Sequence, residues 1–459
     1  MTLIKSISGI RGTIGGRVSE NLTPVDVVKF TAAFTRFHQI RTGSMKIKLV
    51  VGRDARISGR IIEQLVLSTV ASMGADVVNT GLSTTPTVEM AVTHFQADGG
   101  IILTASHNPT QWNALKLLNE KGEFLSDADG RQVLDLAEQM DFDYAKVDEL
   151  GSITEENGMI DYHIEEVLKL PLVDTKLIRE AGFKIVVDAV NSTGGMAIPQ
   201  LLKALGVREI IELYCEPNGQ FPHNPEPLPE NLTEISKTVV DQNADLGIVV
   251  DPDVDRLAFV MEDGNMFGEE YTLVAVADYV LHHQKGNTVS NLSSTRALRD
   301  VTEKAGGSYQ ASAVGEVNVV DKMKETHAVI GGEGNGGVIY PALHYGRDAL
   351  AGTALFLTHL AQKKMKMSEL RSSYPGYFIS KNKINLTNGM STETVFRKVK
   401  EQYSQFPVTD IDGVKIDFPD GWVHLRASNT EPILRVYAES VSVEKAQEYA
   451  RQVMNMVSQ

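Results

Sequence analysis

The chain has 459 residues, 42% hydrophobic and 22% charged, with 44 Lys and Arg against 59 Asp and Glu. That length predicts two to four domains, and the composition is that of an ordinary globular protein. The net charge of −15 has the sign opposite to a nucleic-acid footprint and argues against that partner class, so an anionic ligand must be held by local Lys and Arg, backbone N–H groups or a metal.

The N-terminal MTLIKSISGIRG lacks a long apolar run with a small-residue cleavage site, and no stretch approaches a bilayer span. The expectation is a cytoplasmic protein with no membrane partner. Residues 47–59, IKLVVGRDARISG, read as an apolar strand, a charged turn and a helix start. FKIVVDAVNSTGG (183–195) repeats that plan, and NTVSNLSSTRAL (287–298) is a fainter copy. Each is followed by a helical stretch, a glycine (Gly74, Gly206, Gly306) and another β-rich run, the parts of a βαβ unit. Three similar mixed α/β domains are predicted, although βαβ grammar also recurs by chance.

The stretch GGIILTASHNPTQWNALKLLN (99–119) ends an apolar strand on Ser106. A hydrolase elbow needs glycines around the serine and finds Thr-Ala-Ser-His-Asn instead. Ser106 either closes a strand or caps a helix, or it is a hydroxyl paired with groups that handle phosphoryl charge. Cys215, the single cysteine, excludes an intrachain disulfide framework and reads as a small packed hydrophobe.

LGIVVDPDVDRLAFV (246–260) carries Asp251, Asp253 and Asp255 at alternate positions. Extended chain would aim all three carboxylates to one side, where hard oxygens select Mg²⁺ or Ca²⁺. An EF-hand fails: Arg256 stands where the turn glycine belongs, Pro252 follows Asp251, and 257–261 reads as a strand. Mg²⁺ at a strand end, sharing coordination with phosphate oxygens, is the expectation.

VIGGEGNGGVIY (329–340) is a glycine-rich turn whose functional side chains are Glu333 and Asn335, suited to sugar hydroxyls or to closing a turn. RSSYPGY (371–377) reads as a linker. Beyond it INLTNG, GVKIDFP, GWVHLRAS and PILRVYAES read as short antiparallel strands. A helix over 443–457 would present Val443, Ala446, Ala450, Val453 and Val457 on one face, completing an α+β module. Arg426, Ser428, Asn429 and Thr430, with Arg435 beyond, have the composition of a phosphate cradle, or of a polar hairpin loop. The predicted segments are 1–150, 151–255, 256–370 and 371–459, around a central cleft to which each contributes one motif.

TASHNP, DPDVDR, GEGNGG and RASNTEP, with SGIRG and GLSTTPT (81–87), resemble the motifs of the α-D-phosphohexomutase family, in the family's order along essentially the whole chain. The resemblance implies a last domain like the TATA-binding protein. It implies Ser106 as the phosphoserine, which also contacts the metal, and Asp251, Asp253 and Asp255 as Mg²⁺ ligands. Lys116 and His107 match positions near the reacting oxygens, with Lys116 a candidate general base; Arg11 and Arg256 match charge-stabilising ones. Glu333 and Asn335 fall on the sugar loop, and Arg426, Ser428, Asn429 and Thr430 on the distal phosphate loop. The implied activity moves phosphate between C1 and C6 of a hexose phosphate through a bisphosphorylated sugar, with hexose 1,6-bisphosphate as activator, in a monomer or homodimer. Where many members read Gly-Glu-x-Ser-Gly-His, this chain has Asn335 for the Ser and Gly337 for the His, which resembles the archaeal-type phosphoglucosamine mutase branch. His344 stands nearby without a spacing that assigns it. Competing readings are a glucose- or mannose-phosphate mutase, a metal-dependent phosphatase and a non-catalytic sugar-phosphate-binding protein.

Overall fold

The structure, a computed structural model, describes residues 2–6, 9–385, 391–427 and 433–457. Contacts divide the chain into two compact units, Met1–Thr272 with Gly336–Ser368, and Leu273–Asn335 with Glu369–Gln459.

The first unit holds two sheets. One runs in the order Ile4–Ser6, Gly9–Thr13, Trp112–Leu118, Gly99–Leu103, Lys48–Arg53, Asp76–Leu82, Ile153–Glu155. Lys48–Arg53 pairs parallel with Asp76–Leu82 and Gly99–Leu103, whereas Trp112–Leu118 is antiparallel to Gly99–Leu103, so the sheet is mixed. Its centre is buried on both sides: Leu49, Val51, Ile101 and Leu103 face Phe30, Phe34 and Phe37, while Val50 and Ile102 face Val88 and Val92. Period-2 alternation sorts these side chains between the faces. The helix that brings the three Phe residues, Pro24–Thr42, starts where the sequence dictates. Thr23 and Asp26 form a reciprocal capping box, Pro24 opens the first turn, and Gly43 closes the helix at φ 69°.

The second sheet runs Leu257–Met261, Leu246–Val250, Lys184–Asp188, Glu209–Leu213, with only the first pair antiparallel. Helix Ala349–Lys363, capped by Asp348, is buried along almost its whole length and stacks Phe356 on Phe259 at 3.9 Å between ring centroids.

In the second unit, Asn287–Asn291 pairs parallel with Tyr309–Ser312 and with Ala328–Glu333. All three predicted strand–helix–strand repeats are therefore present, each with parallel strands. A five-stranded antiparallel sheet follows, ordered Phe378–Asn385, Ile433–Ser440, Gly421–Ala427, Val414–Phe418, Val408–Thr409. Residues 386–389 of the predicted INLTNG strand lie outside the described residues. The last helix spans Val443–Val457 as predicted, but its buried face is Ala446, Tyr449, Ala450, Val453 and Val457; Val443 is 45% exposed because the first turn overhangs the core. The predicted linker is not an open spacer. Arg371 and Ser372 end a helical turn, Met367–Ser372, and buried Tyr374 donates its hydroxyl to Asp278 at 3.3 Å.

Among the described residues no helix is long and apolar enough to cross a membrane. Cys215 is half-buried and its thiol is pushed up to about 12 by burial, then by Glu212, which keeps it an unreactive thiol.

Phe356 meets Phe259 face-on and Phe267 edge-on in a closed core. Phe356→Ala is expected to cost about 3–5 kcal/mol, read as a lower urea midpoint for the transition that unfolds this unit.

Candidate active site

Gly99–Leu103 is buried at all five positions and delivers the chain to Ser106 at the sheet's end. Ser106 sits at φ 48°, a left-handed conformation costing a non-glycine residue about 1–2 kcal/mol. The surrounding bonds hold it there. Thr104 Oγ1 accepts from Ser106 N at 2.9 Å. The guanidinium of buried Arg56 donates to the carbonyls of Ser106, Asn108, Pro109 and Trp112, clasping the loop from within. Asp54, fully buried, holds Arg56 Nε at 3.0 Å and accepts from Thr104 Oγ1 at 2.6 Å. Arg56 and Asp54 were missed by sequence reasoning; both stand in GRDAR, the charged turn of the first repeat, which was read as a turn alone.

The carboxylate cluster lies between the antiparallel strands Leu246–Val250 and Leu257–Met261. Its residues are not in extended chain as expected. They occupy a tight loop with Val254 at φ 65°, and this turn, rather than period-2 alternation, brings the carboxylates together. Oxygens of Asp251, Asp253 and Asp255 lie within 4.8 Å of one another, and all three residues are fully buried. Ser192 Oγ and Thr193 Oγ1 both donate to Pro252 O, and Thr85, from the GLSTTPT stretch, donates its Oγ1 to Asp253 Oδ2 at 2.6 Å and its N–H to Asp253 O at 2.8 Å.

Ser106 Oγ donates to Asp251 Oδ2 at 2.7 Å, across the two sheets of this unit. Burial, then repulsion from Asp253 and Asp255, pushes Asp251 well above the usual carboxylate range. Burial acts the same way on Asp253, but Lys116 outweighs it and holds that carboxyl below the range. Lys116 Nζ reaches Asp253 Oδ2 at 2.7 Å and Asp255 Oδ2 at 3.4 Å. Burial alone would lower the ammonium; Asp253 and Asp255 reverse this and raise it. A general base needs the opposite state, so this arrangement gives Lys116 a charge-balancing place. Asp253 Oδ1 and Asp255 Oδ1 are buried without hydrogen-bond partners. Three hard oxygen donors, two of them with unused buried atoms, fit a small divalent cation such as Mg²⁺.

His107 Nδ1 lies 3.3 Å from Ser106 Oγ. Burial, then Arg256, lowers His107 well below its ordinary value, so its imidazole is neutral. Arg256 donates its backbone N–H to Asp251 Oδ1 at 3.1 Å. Arg11, on strand Gly9–Thr13, is lowered by burial and then by Arg256: two cations are crowded together, as an anion-binding site requires.

Arg347, not foreseen, donates Nη2 to Asp255 Oδ2 at 2.6 Å. Beside it Asp348 Oδ2 accepts from His163 Nε2 at 2.8 Å and from His344 Nε2 at 3.1 Å, and His344 Nδ1 lies 3.3 Å from Glu89 Oε2. Burial would lower His344, but Asp348 and Glu89 raise it to about 10.

The other predicted residues belong to the second unit. Glu333 ends strand Ala328–Glu333, and its Oε1 accepts from Asn291 Nδ2 at 2.8 Å and Gly315 N at 3.2 Å. Asn335 lies in the following turn. Arg426 stands opposite Arg435 in the antiparallel register, and Arg435 opposite Lys383, which lines three cations along one face. Like charges directly opposite repel, a cost that a bound anion relieves. Asp412 links the two regions: its Oδ2 accepts from Val314 N at 3.0 Å and lies 3.7 Å from Arg426 Nε. Ser428, Asn429 and Thr430 lie outside the described residues.

Four consecutive stretches match the family described as phosphoglucomutase/phosphomannomutase: alpha/beta/alpha domain I over 3–143, domain II over 161–264, domain III over 268–377, and the C-terminal domain over 383–456. A phosphoglucomutase/phosphomannomutase of Thermococcus kodakarensis is 36% identical over 444 residues, spanning 95% of this chain and 96% of that protein. A "probable phosphoglucosamine mutase" of Methanopyrus kandleri is 32% identical over 455 residues, spanning 98% and 96%. The solved structure of a phosphoglucomutase/phosphomannomutase family protein from Burkholderia thailandensis has a TM-score of 0.85 at 25% identity, covering 100% of this chain and 98% of that one.

The raised pKa of His344 has a measurable consequence. Its stabilisation is fully present below the unfolded value of 6.5 and is lost as pH rises through about 10. The stability advantage of the native protein over His344→Gln is therefore expected to shrink between those limits, which denaturant titrations at neutral and strongly alkaline pH would measure.

Proposed function

The chain belongs to the phosphoglucomutase/phosphomannomutase family and is a phosphohexomutase, an isomerase, and on that premise we propose that Ser106 is its phosphoryl carrier and glucosamine phosphate its preferred sugar. The observation that carries the first part is the 2.7 Å bond from Ser106 Oγ to Asp251 within a buried carboxylate cluster. Asp251, Asp253 and Asp255, with an oxygen on Ser106, would hold Mg²⁺, which when bound supplies positive charge beside the phosphoryl oxygens.

The sugar's free hydroxyl attacks the phosphorus of phosphorylated Ser106. The new P–O bond forms as the P–Oγ bond breaks, and the hydroxyl's proton leaves to a base. The bisphosphorylated sugar then turns end for end, and Ser106 Oγ takes the other phosphoryl group back while the released sugar oxygen regains a proton. Free hexose 1,6-bisphosphate would recharge a Ser106 that had lost its phosphoryl group. Arg11 and Arg256 bind the charged oxygens, and Lys116 and Arg347 balance the carboxylates beside the transferring group. Neutral His107 stays within hydrogen-bond reach of the serine oxygen. Glu333 and Asn335 would read the sugar, and Arg426 and Arg435, with Ser428, Asn429 and Thr430, the far phosphate.

The Glu-Gly-Asn-Gly-Gly loop and the name of the Methanopyrus relative favour the amino sugar, whose ammonium would form a charge-assisted bond to Glu333. The name of the Thermococcus relative favours a second reading, a glucose- and mannose-phosphate mutase of broad specificity.

Intact-mass analysis is expected to show a fraction of molecules heavier by one phosphoryl group, absent in Ser106→Ala. That variant should lose turnover by more than about 1,000-fold, since it lacks the hydroxyl that accepts the phosphoryl group; wild-type turnover would sink the carrier role, and label released as free phosphate would favour a phosphatase. A coupled assay against the three hexose phosphates should give the highest kcat/KM for glucosamine phosphate, with Glu333→Gln costing the amino sugar most. Equal turnover of all three would leave the broad reading.

A further inference from the structure

Asp348 is 1% exposed and takes no part in the phosphoryl transfer described above, yet four segments of the first unit converge on it. Its Oδ2 accepts from His163 on helix Met159–Leu168 and from His344 on the preceding loop. Its Oδ1 accepts from Leu350 N at 2.7 Å and Ala351 N at 3.1 Å, capping helix Ala349–Lys363. The outer nitrogens of both imidazoles lead to helix Thr85–His94: His163 Nδ1 to Thr87 Oγ1 at 2.9 Å, and His344 Nδ1 to Glu89. That helix also holds Asp253 through Thr85.

Two carboxylates and two imidazoles, all buried but the partly exposed His344, add little net stability over apolar packing of the same volume. Their position shows what else they accomplish. Asp348 stands between two points at which its segment grips the carboxylate loop. One residue before it, Arg347 Nη2 meets Asp255 Oδ2 at 2.6 Å; one residue after it, Ala349 N donates to Val254 O at 3.2 Å. Asp348 N itself is fixed on Val338 O at 2.8 Å. A chain held immediately after Arg347 by these backbone bonds, and three residues before it by the bonds of His344, leaves its guanidinium little freedom to leave Asp255.

We propose that His163, His344 and Asp348 are positioning residues that act through Arg347, fixing its backbone so that the guanidinium holds and neutralises Asp255 in the cluster serving phosphoryl transfer. The inference rests on the reading of that cluster given above. Misplacement of a catalytic group by about 1 Å can cost on the order of 100-fold in rate, so a buried device for one arginine is proportionate.

A double-mutant cycle tests this on the full-length enzyme, with whichever hexose phosphate it turns over. Asp348→Asn keeps a capping oxygen but cannot hold two imidazoles as a carboxylate does; Arg347→Met removes the guanidinium. Each alone is expected to lower kcat by roughly 10-fold or more while KM for the sugar phosphate moves less than about 2-fold, and the double variant should be no slower than Arg347→Met. Losses that multiply would overturn the proposal. A merely structural Asp348 would lower Tm in both backgrounds and still give multiplying losses. If Asp348→Asn folds poorly, His344→Gln, which removes one of the two bonds, should show the same non-additivity. One zinc per chain on elemental analysis, absent in Asp348→Asn, would also overturn it by making the cluster a metal site. Failure of the carrier reading is told apart by Ser106→Ala, because the cycle compares rates whatever the route.

Discussion

Three carboxylates buried within 4.8 Å of one another are the constraint around which the first unit is arranged. At about 4 Å and an effective dielectric of about 20, each like-charge pair costs on the order of 4 kcal/mol. Asp251 answers by a carboxyl pushed above its usual range and by accepting from Ser106 Oγ, Asp253 by its bonds to Lys116 and Thr85, and Asp255 by facing Lys116 and Arg347. A divalent cation would relieve the same repulsion.

Geometry of that quality needs rigid supports. The serine loop and the carboxylate loop each leave the end of a sheet whose central strand is buried at all five positions. Beneath the first, Arg56 donates to four carbonyls, tying the loop to one buried guanidinium. Between them the backbones come close enough that a Cβ on Gly219, at φ 73°, would meet Ala55 O at 2.0 Å, and Ala55 N donates to Ser192 Oγ at 3.3 Å. The serine bears strain in exchange for its placement, and the matrix around it is what makes that conformation persist.

The second unit follows a different logic. Its antiparallel sheet brings Lys383, Arg435 and Arg426 side by side, a local positive field in a chain of net charge −15. Only a short-range cluster of this kind can attract an anion against the field of the whole protein. Glu333 meanwhile gives one oxygen to structural bonds with Asn291 and Gly315, which orients the carboxylate.

The family and the local architecture were legible in the sequence. Apolar runs closed by glycine announced the three βαβ repeats, the DPDVDR spacing announced a cluster of carboxylates, and 3.6-residue periodicity set the last helix at Val443–Val457. These signals are local, because backbone period and turn chemistry are written within a few residues. The route by which the aspartates converge was misread, since a turn at Val254 and an extended strand give the same alternation of residue types. Arg347 and the His163–His344–Asp348 cluster were invisible. Arg347 meets Asp255 across 92 positions, His163 meets Asp348 across 185, and Ser106 meets Asp251 across 145. No periodicity links residues so far apart, and a lone Arg or His has the same composition on a surface as in a site. Residue type decided what each group can do; packing two sheets and their loops together decided which groups meet, and so which charges must be balanced.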